Sequence, residues 1–220
     1  MRTLPEPAMN RRRFLTGALA LPAAALSAHV HAASDCRVDV YGSPQCHAWV
    51  ELRDIHRFAA LQAMDQWCWA ACISMVFAHH GRAVSQQRIV EAAYGAAYNM
   101  PALSGAVIAR QISRPWVDDH GHAFNARMTG VFDFDNGIMA LDNAGVVAEL
   151  EAGRPMIIGS GNHAMVLVGV NYVRTPFGPR IHGAHVFDPW PGRGIQPLSG
   201  AAITSMPRGS LRFLASCGIV

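Results

Sequence analysis

Lysine, long apolar runs and a high density of charge are all missing from this sequence of 220 residues. All 18 basic residues are arginine, only 15% of residues are charged, and no repeat or low-complexity segment is present. With 51% hydrophobic residues, 20 glycines and 13 prolines, the composition excludes a disordered tail, a collagen-like repeat and a disulfide knot. A chain of this length and composition can form one large domain, or two small lobes, around hydrophobic cores.

Positive charge is concentrated at the N-terminus. Residues 1–32 contain four arginines and a single acidic residue, Glu6, whereas the rest of the chain carries 14 basic and 14 acidic residues. A near-neutral chain without basic runs lacks the electrostatic footprint that a nucleic acid backbone requires. We therefore expect no nucleic-acid partner.

The N-terminal segment has the layout of a cleaved export signal. A basic cluster at residues 11–13 precedes an apolar run over about residues 14–28. Residues 30–32 then resemble the A-x-A type of cleavage site. The run contains Pro22 and is too short for a membrane span of roughly 20 residues, and no later apolar stretch approaches that length. The alternative for this segment is an N-terminal core helix.

Residues 10–15, Asn-Arg-Arg-Arg-Phe-Leu, resemble the twin-arginine signal, whose receptors export folded cargo. This resemblance implies a bacterial protein that is periplasmic or secreted. We expect residues 1–32 to be removed and residues 33–220 to form one domain. That domain is expected to be a monomer with no stable membrane insertion.

The mature chain keeps all five cysteines, in a compartment where disulfides persist. Because five is odd, at least one thiol has no internal partner. Cys68 and Cys72 lie four residues apart, where helical Cβ atoms are roughly 5–6 Å apart and a disulfide needs about 3.5–4.5 Å. Cys72 is therefore either a small packed residue or bonded to a distant cysteine, for which Cys217 is the candidate. Cys36 and Cys46 are the expected local pair.

Helical signals dominate the first half of the mature chain. Apolar residues recur at positions 69, 72, 73, 76 and 77, and Gly81 follows where a helix would stop. The predicted helices, each bounded by a capping residue or a glycine, cover residues 69–80, 85–94, 104–112 and 146–151.

Strand signals dominate the second half. Runs of β-branched or aromatic residues bounded by Gly, Pro and Asn predict strands over residues 156–159, 164–173, 182–187 and 211–214. Residues 33–60 are mixed and turn-rich, and residues 113–136 indicate only loops and short strands. Helices followed by strands predict an α+β fold with a cleft between the two halves.

Three candidate reactive residues lie near the junction of the two halves. Cys68 lies where the first predicted helix begins, so free N–H groups and the helix dipole would favour its thiolate; the alternative is an inert core cysteine. His163 lies at the start of an apolar strand, where a polar ring needs a hydrogen-bond partner. The alternative is that this histidine has a purely structural role. Asp188 ends the next strand and could orient the imidazole, or simply form a turn before Pro189.

Together these residues resemble the papain-like cysteine peptidases. Gln62 is followed after five residues by Cys-Trp-Ala beginning at Cys68, His163 enters a later strand, and an Asp-Pro-Trp motif beginning at Asp188 closes the following one. The similarity covers about residues 58–192. It is greatest to the short bacterial branch, which includes plant-pathogen effector proteases and the leader peptidases of peptide exporters.

The resemblance implies a papain-like α+β fold, in which a helical lobe with the nucleophile helix packs against an antiparallel β-sheet lobe. It implies that Cys68 attacks a carbonyl as thiolate, that His163 forms the ion pair and protonates the leaving amine, and that Asp188 holds the ring tautomer. Gln62 would donate to the oxyanion, and Trp190 would shield the histidine–aspartate bond from water. The implied partner is a peptide or protein substrate, with no cofactor and no metal.

The sequence departs from papain just before the nucleophile, where residues 65–67 are Asp-Gln-Trp and not Cys-Gly followed by Ser or Ala. The shorter separation of Cys68 and His163 predicts a smaller second lobe. Gln66 is a rival for the role of Gln62, but it is less well placed so close to Cys68.

Three alternatives remain open at this point. The chain could be another Cys-His acyl enzyme, such as a cell-wall amidase or transpeptidase, or a non-catalytic peptide-binding module on the same fold. A metal site could use the neighbouring histidines at positions 79 and 80, 120 and 122, or 182 and 185, although no cysteine or carboxylate completes a convincing ligand set.

Overall fold

The computed structural model of the protein describes residues 33–40 and 42–220, so the predicted export signal at residues 1–32 lies outside the described residues. The helices are α1 (Leu52–Phe58), α2 (Cys68–His79), α3 (Gln86–Tyr94), α4 (Gly105–Gln111), α5 (Asn143–Glu151) and α6 (Gly200–Ile203). The strands are β1 (Ala33–Val38), β2 (Pro44–Trp49), β3 (Pro115–Val117), β4 (Ala123–Asp133), β5 (Ile138–Met139), β6 (Met156–Ser160), β7 (His163–Thr175), β8 (Gly178–Asp188), β9 (Gly194–Leu198) and β10 (Leu211–Ile219). Within this described part of the chain, no helix is long and apolar enough to cross a membrane.

The four predicted helices are confirmed as α2, α3, α4 and α5. Local capping explains their ends: the Ser85 hydroxyl accepts the N–H of Arg88 at the start of α3, and Gly95 ends that helix with a φ of +82°. The helix α2 is buried on more sides than the predicted apolar stripe, because Ala70, Ala71 and Met75 are buried as well. A helix that is apolar all round belongs in the interior.

The sheet is antiparallel and forms the larger part of the fold. Its main path runs in the order β1-β2-β7-β6-β10-β4-β3, while β8 pairs with β7 and β9, and β5 pairs with β4. The long strand β7 is central, since it pairs with β6 and β2 along one edge and with β8 along the other. The helix α2 packs on β7 and β6.

The predicted class is confirmed as a mixed fold of helices and a large antiparallel sheet. The arrangement as two papain-like lobes stays a prediction. The simple order of helices first and strands later is wrong, because β1 and β2 precede α2 and β4 lies between the helices.

The strand β4 differs most from the prediction for residues 113–136, because it is one long strand of 11 residues. Buried residues alternate with exposed or half-buried ones along it, and it gains regular hydrogen bonding by pairing with β10 and β3. The strand β9 was not predicted because it contains Gly194 and Pro197, which disfavour strands. Since β9 pairs only with β8, it is an edge strand in the described chain, where proline is tolerated.

The cysteines confirm one expected pairing and contradict the other. Cys36 and Cys46 form a disulfide between β1 and β2. Cys72 and Cys217 are both free thiols, so the candidate bond between them is wrong. His80 hydrogen-bonds the Cys217 carbonyl at 3.0 Å. This bond places Cys217 beside the C-terminal end of α2, whereas Cys72 lies in the first half of that helix.

The absence of a side chain at Gly169 in β7 allows rings from the two neighbouring strands to meet. Gly169 pairs with Trp49 on one side and His185 on the other, and the ring centroids of Trp49 and His185 lie 4.4 Å apart. A Cβ atom at position 169 would lie 2.6 Å from Cδ2 of Trp49. The strand therefore requires glycine here for reasons of space.

We expect Gly169→Ala to lower the free energy of unfolding by about 1–3 kcal/mol, because the methyl group overpacks against the indole. The matched control is Gly218→Ala in β10, where a Cβ would make an ordinary 3.5 Å contact with Thr129. That control should change stability by less than about 0.5 kcal/mol in urea unfolding. Equal effects of the two substitutions would contradict the packing argument.

Candidate active site

Cys68 is the first residue of α2, as the sequence predicts. The segment around it is held from outside the helix, since the main-chain N–H of Gln66 and the indole N–H groups of Trp67 and Trp69 donate hydrogen bonds of 2.8–3.1 Å to residues 98–100. The thiol is partly exposed. A partly exposed sulfur at a rigid helix start can meet both a substrate and the free N–H groups of the first turn.

His163 is the first residue of β7 and follows a two-residue turn. Gly161 in this turn has a φ of +60° and donates its N–H to the Ser210 carbonyl at 2.7 Å. Glycine adopts this left-handed conformation without the steric cost that other residues pay. The turn therefore places the partly exposed His163 at the start of β7, directly before seven buried residues, as the sequence predicts.

Asp188 ends β8 and is completely buried, with 0% of its surface exposed. Its Oδ1 accepts hydrogen bonds from Nε2 of His163 at 2.7 Å and from the main-chain N–H of Trp190 at 2.9 Å. Its Oδ2 accepts from Gln196 at 2.8 Å and from Arg193 at 3.4 Å. Four donors compensate for the loss of water around this carboxylate.

The thiol and the imidazole shift each other's ionisation. Burial alone would raise the pKa of Cys68, but hydrogen bonds from His163 and from main-chain N–H groups, including that of Ala164, lower it below its ordinary value. The hydrogen bond to Cys68 raises the pKa of His163 against the opposing effect of burial, and Asp188 raises it further. These directions favour a thiolate and an imidazolium over two neutral groups.

Because Nε2 of His163 is bonded to Asp188, Nδ1 is the ring nitrogen left for the Cys68 sulfur. The structure thus brings three of the predicted site residues into one row. The chemistry that this row can perform is nucleophilic attack by sulfur with proton transfer through the histidine.

Gln62, the fourth predicted residue, is buried beside this row. Its main-chain N–H donates to the Pro189 carbonyl at 2.9 Å, just after Asp188. Its side-chain Nε2 donates to the carbonyls of Met64 and Asp65 at 3.0 and 2.9 Å. The amide is therefore fixed in the turn that leads to the nucleophile helix.

Two further residues have clear positions. The side chain of the rival Gln66 is exposed, unlike that of Gln62. Trp190 is 42% exposed. It is tied to the site by its main-chain N–H, which donates a hydrogen bond to Asp188. Its predicted role as a shield stays a prediction.

Two of the histidine pairs considered as metal ligands have contacts of other kinds. Burial and, to a smaller extent, the neighbouring His80 lower the pKa of His79 to about 4, and its ring packs against Phe58. The main-chain N–H groups of His120 and His122 donate to Asp118. Among residues 33–40 and 42–220, no group of three or more His, Cys, Asp or Glu residues is placed to hold a metal ion.

Comparison with known families agrees with this geometry. Residues 52–198 match the model of the Peptidase_C39 like family, which covers about two thirds of the chain and runs from the first residue of α1 to the last residue of β9. The chain belongs to this family. The predicted resemblance to papain-like cysteine peptidases is thereby confirmed, while its placement in the short bacterial branch stays a prediction. No curated protein matches the chain.

The match to this peptidase family includes all four predicted site residues. Sequence reasoning missed Gln196 and Arg193, the two side-chain donors to Oδ2 of Asp188. Gln196 could have been found only by first recognising residues 194–198 as a strand paired with β8, because that pairing brings its side chain within reach of the buried Asp188 carboxylate. No comparable signal points to Arg193, which precedes this strand.

We expect iodoacetamide at about pH 6 to label only Cys68 in the native protein. An ordinary thiol with a pKa of about 8.5 is almost wholly protonated there, whereas the lowered pKa of Cys68 and the raised pKa of His163 favour the ionised pair. Burial raises the pKa of Cys72 and raises that of Cys217 to about 12, so both should react only after unfolding. Mass spectrometry of the labelled peptides measures this.

In the same experiment, His163→Ala should slow labelling of Cys68 at least about tenfold. The control is His182→Ala, which removes an exposed histidine of β8. Native labelling of Cys72, or unchanged labelling in His163→Ala, would contradict the ion pair.

Proposed function

We propose that this member of a cysteine peptidase family is an exported enzyme that hydrolyses peptide bonds through an acyl-enzyme on Cys68. The row from Cys68 through His163 to Asp188 is the observation that carries the proposal. It joins a thiol at a helix start to an imidazole whose far nitrogen is held by a buried carboxylate. This arrangement suits a nucleophile, its base and the group that orients the base.

In the proposed reaction, the Cys68 thiolate attacks the carbonyl carbon of the scissile peptide bond, and the carbonyl electrons move onto oxygen. When the tetrahedral intermediate collapses, the C–N bond breaks and the His163 imidazolium gives its proton to the leaving amine. Water then attacks the thioester while His163 accepts one of its protons. The C–S bond breaks, releasing the acid and restoring the thiolate–imidazolium pair.

Two donors are available for the oxyanion in this scheme. The Cys68 N–H lies in the first turn of α2, where main-chain N–H groups have no partner within the helix. The Gln62 amide is the second, and it would share or exchange one of its bonds to the Met64 and Asp65 carbonyls as charge develops. Donors fixed in advance stabilise the transition state without reorganisation.

Export is supported by the layout of residues 1–32 and by the Cys36–Cys46 disulfide. A disulfide persists in an oxidising compartment such as the periplasm or the extracellular medium. Mass spectrometry of the N-terminus of the exported protein tests whether residues 1–32 are removed.

We expect the exported protein to cleave unfolded protein substrates and Cys68→Ala to abolish cleavage. The measurement is a panel of unfolded protein, cell-wall peptide and amine-acceptor substrates. The rate should follow a bell-shaped pH profile, because cleavage needs both the thiolate, formed above the lowered pKa of Cys68, and the imidazolium, present below the raised pKa of His163.

The same panel separates the competing functions. Cleavage of cell-wall peptides alone would indicate an amidase, and incorporation of the amine would indicate a transpeptidase. A reactive Cys68 without turnover of any substrate would indicate a non-catalytic binding module and overturn the proposal.

We expect Gln62→Ala to lower kcat roughly 100-fold, the loss of about 3 kcal/mol that one oxyanion donor typically supplies. Alkylation of Cys68 should stay within about twofold of the wild-type rate, because alkylation forms no oxyanion. The control is Gln66→Ala, an exposed glutamine in the same turn, which should leave kcat nearly unchanged. A parallel fall of kcat and alkylation in Gln62→Ala would show that the amide only holds the turn.

A further inference from the structure

Asp188 has partners beyond its histidine that the proposed reaction does not use. Its Oδ2 atom accepts hydrogen bonds from Nε2 of Gln196 at 2.8 Å and from Nη1 of Arg193 at 3.4 Å. Its Oδ1 atom is taken by His163 and by the main-chain N–H of Trp190. Because the two oxygens have separate sets of donors, the carboxylate cannot rotate without breaking bonds on both sides.

Gln196 reaches Asp188 diagonally across two paired strands. Gln196 pairs with Val186, and Asp188 pairs with Gly194. Val186, Asp188 and Gln196 therefore lie on one face of the sheet, because residues two apart on a strand share a face. Diagonal neighbours are about 7–8 Å apart between backbones, a gap that a long side chain bridges. A glutamine fits this gap, and an asparagine is shorter by one methylene group.

The two donors to Oδ2 differ in kind. The side chain of Arg193 is 58% exposed, and its longer contact is screened by solvent. Gln196 is half-buried, neutral and closer. A neutral amide satisfies the oxygen without cancelling its negative charge, so that the charge remains available to the imidazolium of His163.

We propose that Gln196 is a positioning residue whose amide fixes the rotation of the Asp188 carboxylate, so that Oδ1 stays directed at His163. This inference rests on the proposed function for its catalytic consequence. The charged and titratable groups around Asp188 and its histidine are Arg193 and the thiols of Cys68 and Cys72. Arg193 also donates to Oδ2, but its contact is longer and exposed and brings a positive charge to that oxygen, which the Gln196 amide does not.

The decisive variant is Gln196→Met, which keeps the volume of the side chain but removes the donor. We expect kcat to fall about tenfold, with KM unchanged because the Gln196 amide is engaged by Asp188. The titration of His163, followed by the ¹⁵N shifts of its ring, should move to lower pH because the carboxylate no longer holds the ring. A second variant, Gln196→Asn, keeps an amide that is too short to reach and should behave like Gln196→Met.

The matched control is Gln45→Met in β2, which breaks a similar bond from a glutamine amide to Asp39 of 3.0 Å. It should leave kcat and the His163 titration at their wild-type values.

If Gln196 only fills space, Gln196→Met will titrate like the wild type, and the proposal is overturned. An effect in Gln196→Met that Gln196→Asn does not share would overturn it as well, since the reach of the amide would not matter. The ring titration needs no substrate, so it separates the two proposals. A wild-type protein that cleaves nothing, but whose His163 titration depends on Gln196, would overturn the peptidase function and leave the positioning role intact.

Discussion

The hydrogen bond between His163 and Asp188 is the contact on which the rest of the site depends. It is 2.7 Å long and ties the start of β7 to the end of β8, and the remaining ring nitrogen faces the sulfur at the start of α2. A buried carboxylate is stable only when its oxygens are satisfied, which is why four donors surround Asp188. The carboxylate orients the imidazole, and the hydrogen bond from the imidazole lowers the pKa of Cys68.

Hydrogen bonds between separate segments of the chain hold these three groups in place. The Gln62 N–H bonds the Pro189 carbonyl, a tight turn fixes the start of β7, and residues 98–100 accept three bonds from the segment around Cys68. Hydrogen bonds to several different segments resist small displacements in several directions. The nucleophile is thereby held at a helix start that is rigid although it is partly exposed.

The cysteines fall into three environments that give one residue type three different properties. Cys36 and Cys46 face each other across paired strands and form a covalent link. Cys72 and Cys217 are buried, and desolvation raises the pKa of each thiol and makes it inert. Cys68 alone among them has a histidine partner, so that the effect of burial is reversed and its pKa is lowered.

The sequence by itself determined the helices α2 to α5, most of β6, β7 and β8, the start of β10, the local disulfide and the three members of the row, because apolar periodicity, caps and glycine stops are local signals. It also carried the motif spacing typical of a cysteine peptidase family. Only the tertiary structure decided the long strand β4 and the edge strand β9, whose hydrogen bonds come from partners distant in sequence. It also decided that Cys72 and Cys217 stay apart and that Gln196 reaches Asp188. Contacts of this kind depend on strand register and on positions along a helix, and no short stretch of sequence encodes either.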